Sequence, residues 1–158
     1  MHHRLTALIA AIWLTAACSS PTPALSLSNA SVDPTHWCPG GANNAAYDLH
    51  AIIHARNDTA KVVTIQSASA QMTLASVNGS WLEPVGDRYD AGSVNVSPIS
   101  VAAHSSATLN VIIPSACTSG AYGSTTSSSG SYQVKMRLLT SAGDISIAAT
   151  NTHEILAA

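Results

Sequence analysis

Hydrophobic and polar positions alternate most cleanly over residues 47–56. Read with a period of two, Tyr47, Leu49, Ala51, Ile53 and Ala55 share one face, and Asp48, His50, Ile52, His54 and Arg56 share the other. This is the pattern of a half-buried strand. Asn57-Asp58-Thr59 follows with turn chemistry, so the pattern predicts the central strand of a β-sandwich. A second clean alternation runs over residues 132–138, with Tyr132, Val134, Met136 and Leu138 inward and Gln133, Lys135 and Arg137 outward.

Weaker alternations fill in the rest. Residues 25–32 predict a first strand, broken by Asp33-Pro34 and again at 39–41, with Trp37-Cys38 between the breaks. Residues 61–65 predict a strand whose Ser/Ala continuation at 67–70 is a bulge or a crossing before 71–74 resumes. Asn78-Gly79 predicts a tight hairpin between 74–77 and 80–82. A second hairpin is expected between 94–101 and 107–113, turned at 104–106, with Pro98 marking an edge strand. Residues 118–131 are a Gly/Ser/Thr loop of low complexity. Gly143-Asp144 then turns the chain into 145–149 and a last segment through Ile155. Seven or so short strands with frequent turns predict an all-β fold, and helices have almost no support.

The start of the chain reads differently. Behind Arg4, residues 5–14 are apolar except for Thr6. About ten apolar residues are too few for a membrane-spanning helix but suit the core of a signal peptide. The run ends in Leu14-Thr-Ala-Ala-Cys18, followed at once by Ser19-Ser-Pro-Thr-Pro23. This junction resembles the lipobox of bacterial lipoproteins. The family's leucine stands three residues before the cysteine; here Leu14 is one place earlier and Thr15 fills the slot. The resemblance implies cleavage before Cys18 and a lipid on its sulfur. The expected organisation is therefore a signal peptide over 1–17, a lipid-anchored tether over 18–25 and one domain over 26–158. Ordinary signal-peptidase cleavage, with Cys18 discarded or free, is the alternative.

The order of the predicted strands resembles the immunoglobulin-like and fibronectin-type modules of bacterial envelope proteins, over roughly 25–157. The resemblance implies an antiparallel sandwich. Tyr132 falls where that family has its tyrosine corner, and Val134 where antibody domains carry a core cysteine, so their inter-sheet disulfide is absent. With Cys18 lipidated, Cys38 and Cys117 are left to pair, because an odd thiol is unfavourable in an oxidising compartment. The implied topology agrees. The strands preceding Cys38 and Cys117 flank the central strand and end at the same pole, so both cysteines lie beside the start of residues 47–56. Two strand spacings, about 9.6 Å, exceed the ~7 Å a disulfide spans, so the connecting segments must converge.

Composition narrows the function. Of the 158 residues only 9% are charged and the formal net charge is -2, which gives no electrostatic case for nucleic acid. Phe is absent, and a core of Val, Ile, Leu and Ala suits short strands. His50 and His54 lie on one strand face but about 13 Å apart, at ~3.3 Å per residue. They cannot share one ion unaided, although His104 or Asp48 can complete a site with one of them. No G-x-S-x-G or H-E-x-x-H motif occurs, and no carboxylate sits in an apolar run, so neither an enzyme nor a cofactor is expected. Asn29, Asn57, Asn78 and Asn95 fit N-x-[ST] but read as turn residues. Trp37, Trp81, Arg88 and Tyr89 are a candidate contact patch, since aromatic residues and arginine favour binding centres. The competing expectation is that Trp37 packs on the disulfide and Trp81 plugs the sandwich.

The expected function is a non-catalytic binding or scaffold module, lipid-anchored at the outer membrane or cell surface, with an envelope protein or glycan as partner. The alternatives are a periplasmic metal-binding protein using His50, His54 or His104, and a proteinase inhibitor presenting the 118–131 loop.

Overall fold

The computed structural model describes residues 25–38, 44–117 and 128–157. They form ten strands and no helix: β1 (Leu25–Val32), β2 (Thr35–Cys38), β3 (Ala46–Asn57), β4 (Val63–Asn78), β5 (Arg88–Ala91), β6 (Asn95–Ser97), β7 (Ser100–Val101), β8 (Ser105–Ala116), β9 (Ser128–Thr140) and β10 (Gly143–Ala157). The leader over 1–17 and Cys18 lie outside the described residues. Leu25, the last residue of the expected tether, is already paired with Asn57.

Two sheets face each other. One has the order β1-β3-β8-β6, and the other β2-β10-β9-β4-β5 with β7 on the start of β4. The all-β, immunoglobulin-like sandwich is therefore the fold. β3 is central in its sheet, and its burial alternates as the sequence pattern requires: Leu49, Ala51, Ile53 and Ala55 are buried, while Asp48, His50, Ile52, His54 and Arg56 are exposed. β8 matches it in register, with Leu49 opposite Ile113, Ala51 opposite Val111 and Ile53 opposite Leu109. Met72 and Leu74 of β4, and Val134, Met136 and Leu138 of β9, close the core from the other sheet. Each such large side chain contributes roughly 1.5–3 kcal/mol on burial. A charge at Ile53 would remove that contribution and leave an unpaired ion in a dry interior.

Several local expectations are corrected. The segment around Trp37 forms β2, parallel to the end of β10, with Cys38 opposite Ala157. Residues 63–78 are one continuous strand: of the two alternatives for the Ser/Ala stretch, the bulge is the one found, as a register shift at Ile65/Ser67, and a second shift follows at Leu74/Ser76. Gly79 does adopt the left-handed conformation, φ 74°, but residues 80–82 do not return as a strand. On its side away from β9, the second half of β4 pairs instead with β5, Thr73 facing Arg88. Residues 94–101 split around Pro98: β6 pairs with β8 at the sheet edge, as the proline predicts, while β7 crosses to β4. The last four residues of the expected 118–131 loop belong to β9, and 118–127 lie outside the described residues.

Candidate functional site

The chemistry gathers at the pole where β3 begins. Cys38 closes β2, Cys117 follows β8, and the two form a disulfide with Cα atoms 5.7 Å apart. Because β2 and β8 belong to different sheets, the bond staples the sandwich together. This resolves the convergence problem: Cys38 approaches from the facing sheet, not from beside β3. Main-chain bonds seat Cys117, whose N–H donates to the Ala45 carbonyl (2.9 Å) while its carbonyl accepts from Asn44 N–H (3.0 Å).

Behind the disulfide runs a buried polar chain. His153 on β10 is 1% exposed. Its Nδ1 lies 2.7 Å from the Asp33 carbonyl oxygen and its Nε2 2.8 Å from the Tyr47 hydroxyl. A carbonyl only accepts, so Nδ1 carries the proton and Tyr47 donates to Nε2. Burial depresses the His153 pKa below its ordinary value, against the opposing pull of the Asp33 carbonyl. Burial also pushes the Tyr47 hydroxyl up to about 12, partly offset by a hydrogen bond from Ser115. Both groups are thus held neutral, as a dry interior demands. His36 stacks flat on Tyr47, ring centroids 3.7 Å apart and planes within 4°.

Beside this chain a cleft of about 150 Å³ opens, lined by Met72, Glu83, Arg88, Tyr89, Cys117 and Tyr132 among others. Behind Tyr132, which lines it, is a close approach. The indole of Trp81 lies over Gly130, where an added Cβ would stand 2.6 Å from the ring, so only glycine fits. Trp81 Nε1 donates to the Tyr132 hydroxyl (3.2 Å), which donates to Glu83 (2.5 Å). Trp81 is therefore a packing residue, in line with one of the two expectations for it. Tyr89, 41% exposed, reaches the Pro114 carbonyl across the mouth of the cleft.

Arg88 and Tyr89 meet at this cleft and Trp81 backs it, but Trp37 does not join them. It is 63% exposed and stands on β2, at the opposite edge of its sheet from β5. Four strand spacings, about 19 Å, separate those edges, and Trp37 is too exposed to be packed away on the disulfide. The metal candidates also stay apart. His50 Nδ1 is 3.0 Å from Asp33 Oδ2, His54 faces solvent further along β3, and His104 occupies the turn before β8 with φ 50°. Among the described residues the one group of three ligand-type side chains is His36, Cys38 and Cys117. Sequence reasoning missed His36 and His153. The signal was there: His153 shares its strand face with Ile155, and His36 with Cys38.

Over the described residues these features define a disulfide-bonded β-sandwich with a cleft at one pole. No family model matches the chain, and no curated protein matches it either. Solved structures similar to it include AggA, the major subunit of aggregative adherence fimbriae type I from Escherichia coli. That match has 9% identity, covers 85% of this chain and 95% of that one, and has a TM-score of 0.37. The human CEP192 PapD-like domain is 11% identical over 97% of this chain and 98% of that one, with a TM-score of 0.31. The CooA pilin subunit from enterotoxigenic Escherichia coli is 13% identical over 83% and 98%, with a TM-score of 0.27.

Proposed function

We propose that the chain is a non-catalytic binding or scaffold module of the cell envelope, exported and held to a membrane by a lipid on Cys18. The observation that carries this reading is the inter-sheet Cys38–Cys117 bond. A structural disulfide belongs to an oxidising compartment, and it leaves Cys18 as the odd cysteine of three. The cleft bounded by Arg88, Tyr89 and Glu83 is the contact surface, and an envelope glycan or protein is its partner. Tyr132, tied to Glu83 and Trp81, holds the wall of the cleft, and the exposed Arg88 and Tyr89 stand on its rim.

The test is an intact mass of the protein expressed with its leader, before and after reduction. Cleavage before Cys18, a diacyl or triacyl adduct and a gain of two hydrogens on reduction are expected. A mature chain without lipid overturns the anchor. For the cleft, paired Arg88→Ala and Tyr89→Ala changes are expected to abolish binding to an envelope glycan array or fractionated envelope proteins, with the melting temperature nearly unchanged.

A further inference from the structure

The geometry points to a second state of the disulfide pole: once reduced, Cys38, Cys117 and His36 form a binding site for one soft metal ion, zinc or copper(I). These are not the histidines that the sequence singles out. The ligand-type atoms of the three side chains already lie within 4.8 Å of one another. β2 alternates in burial, with Thr35 and Trp37 exposed and His36 and Cys38 turned inward. His-x-Cys on a strand thus sends both side chains to one face, about 6.6 Å apart at Cα, and Cys117 meets them from the facing sheet.

Three features fit a metal rather than a chance cluster. First, the frame does not depend on the sulfur–sulfur bond. Cys117 is held by two main-chain hydrogen bonds to 44–45, and β2 is held by parallel pairing to β10. Second, tetrahedral coordination at ~2.3 Å per Zn–S bond places two thiolates about 3.8 Å apart, which Cα atoms at 5.7 Å accommodate by side-chain rotation. Third, metal-binding imidazoles are oriented by a second partner, and stacking on Tyr47 fixes the plane of His36. His36 is only half-buried, which gives an ion a way in to the two buried sulfurs. His153 stays out of the site, because both of its nitrogens are engaged. Two thiolates and one imidazole select zinc or copper(I) over calcium or magnesium, and two thiolates neutralise a zinc ion.

The chemistry balances. A dithiol reductant gives two electrons and two protons to the bond, leaving two cysteine thiols and its own disulfide. The arriving ion then displaces those two protons. Cross-link and metal are mutually exclusive occupants of one seat.

The test uses the mature protein, reduced without oxygen by a phosphine, which ends as its oxide with oxygen from water. Cobalt(II) alone is then added as a spectroscopic stand-in for zinc. Expected are one ion per chain in native mass spectrometry with the loss of two protons, thiolate-to-cobalt charge-transfer absorption, and displacement by zinc. His36→Ala should lower the affinity by more than about 100-fold, beyond the usual effect of losing an outer-shell partner, while Trp37→Ala should leave it unchanged. No charge transfer in the reduced, folded chain overturns the site, as does equal uptake by the oxidised protein or an unweakened His36→Ala variant. If reduction alone unfolds the chain, the ion must restore the sheet circular dichroism, since binding then drives folding. Failure to do so is equally decisive.

Discussion

The two ends of β3 close the same sandwich by different means. At its start, the interior is sealed by a covalent bond and by titratable side chains, Tyr47 and His153, held neutral against each other. At its finish, a single uncharged residue does the work. Asn57 is fully buried. Its Nδ2 donates to the carbonyls of Lys61 (2.7 Å), Val101 (3.1 Å) and Ala102 (3.0 Å). Its Oδ1 accepts from the N–H (3.0 Å) and hydroxyl (2.7 Å) of Thr59. One amide thereby ties the β3–β4 turn to the crossing at β7. An amide has no charge state to lose, so the Asn57 network itself responds neither to protonation nor to reduction. The chemistry-bearing end is sensitive to both, and it is also where the cleft lies.

Removing the staple should produce the largest effect. Paired Cys38→Ser and Cys117→Ser changes open a cross-link spanning 79 residues, which costs up to about 4.5 kcal/mol on the chain-entropy model, read as a lower urea midpoint. Asn57→Ala should cost about 3 kcal/mol, because buried carbonyls and an N–H lose their partner together. The two ends lie about 37 Å apart along β3 at ~3.4 Å per residue. Combining the changes should therefore give the sum of the two losses within about 0.5 kcal/mol, and a larger coupling would mean that the ends communicate. Gly130→Ala should cost about 1–2 kcal/mol, since Trp81 must leave its seat and its bond to Tyr132. Its signature is greater quenching of Trp81 fluorescence by iodide.

The smallest effect is the pH dependence. The folded pKa of His153 lies below its ordinary 6.5, so the unfolded chain binds more protons in the window between the two. The stability due to neutral His153 is complete above pH 6.5 and is lost as pH falls toward the folded value. The slope is at most about 1.4 kcal/mol per pH unit for one proton. His153→Gln should flatten the wild-type decline in urea midpoint between pH 7.5 and 5. An unchanged slope would place the sensitivity elsewhere.

How much of this the sequence carried depends on the range of the interactions involved. β3 was legible in full, because alternation over ten residues is a local signal, and Asn57-Asp58-Thr59 stopped it by bonds within the turn itself. Pro98 likewise marked the edge correctly. The staple followed from strand order and cysteine parity, although the sheet that delivers Cys38 did not: β2 is short and exists through parallel pairing with residues more than a hundred positions away. The Asn78-Gly79 signal was real as a turn but misleading as a hairpin. Trp81 is drawn inward over Gly130, which pulls 80–82 off the line a returning strand would take. His153 was passed over because the alternation of its strand is interrupted before it, where the pairing with β9 shifts register between Ala148 and Thr152.

The pairing of the terminal strands also sets a direction. Leu25 enters opposite Asn57, whereas Ala157 leaves opposite Cys38. The described chain thus comes in at one pole and goes out at the other. With Cys18 anchored as proposed, the Asn57 end is the foot of the molecule. The cleft, with the staple beside it, lies at the opposite pole, about 37 Å along β3 from that foot at ~3.4 Å per residue.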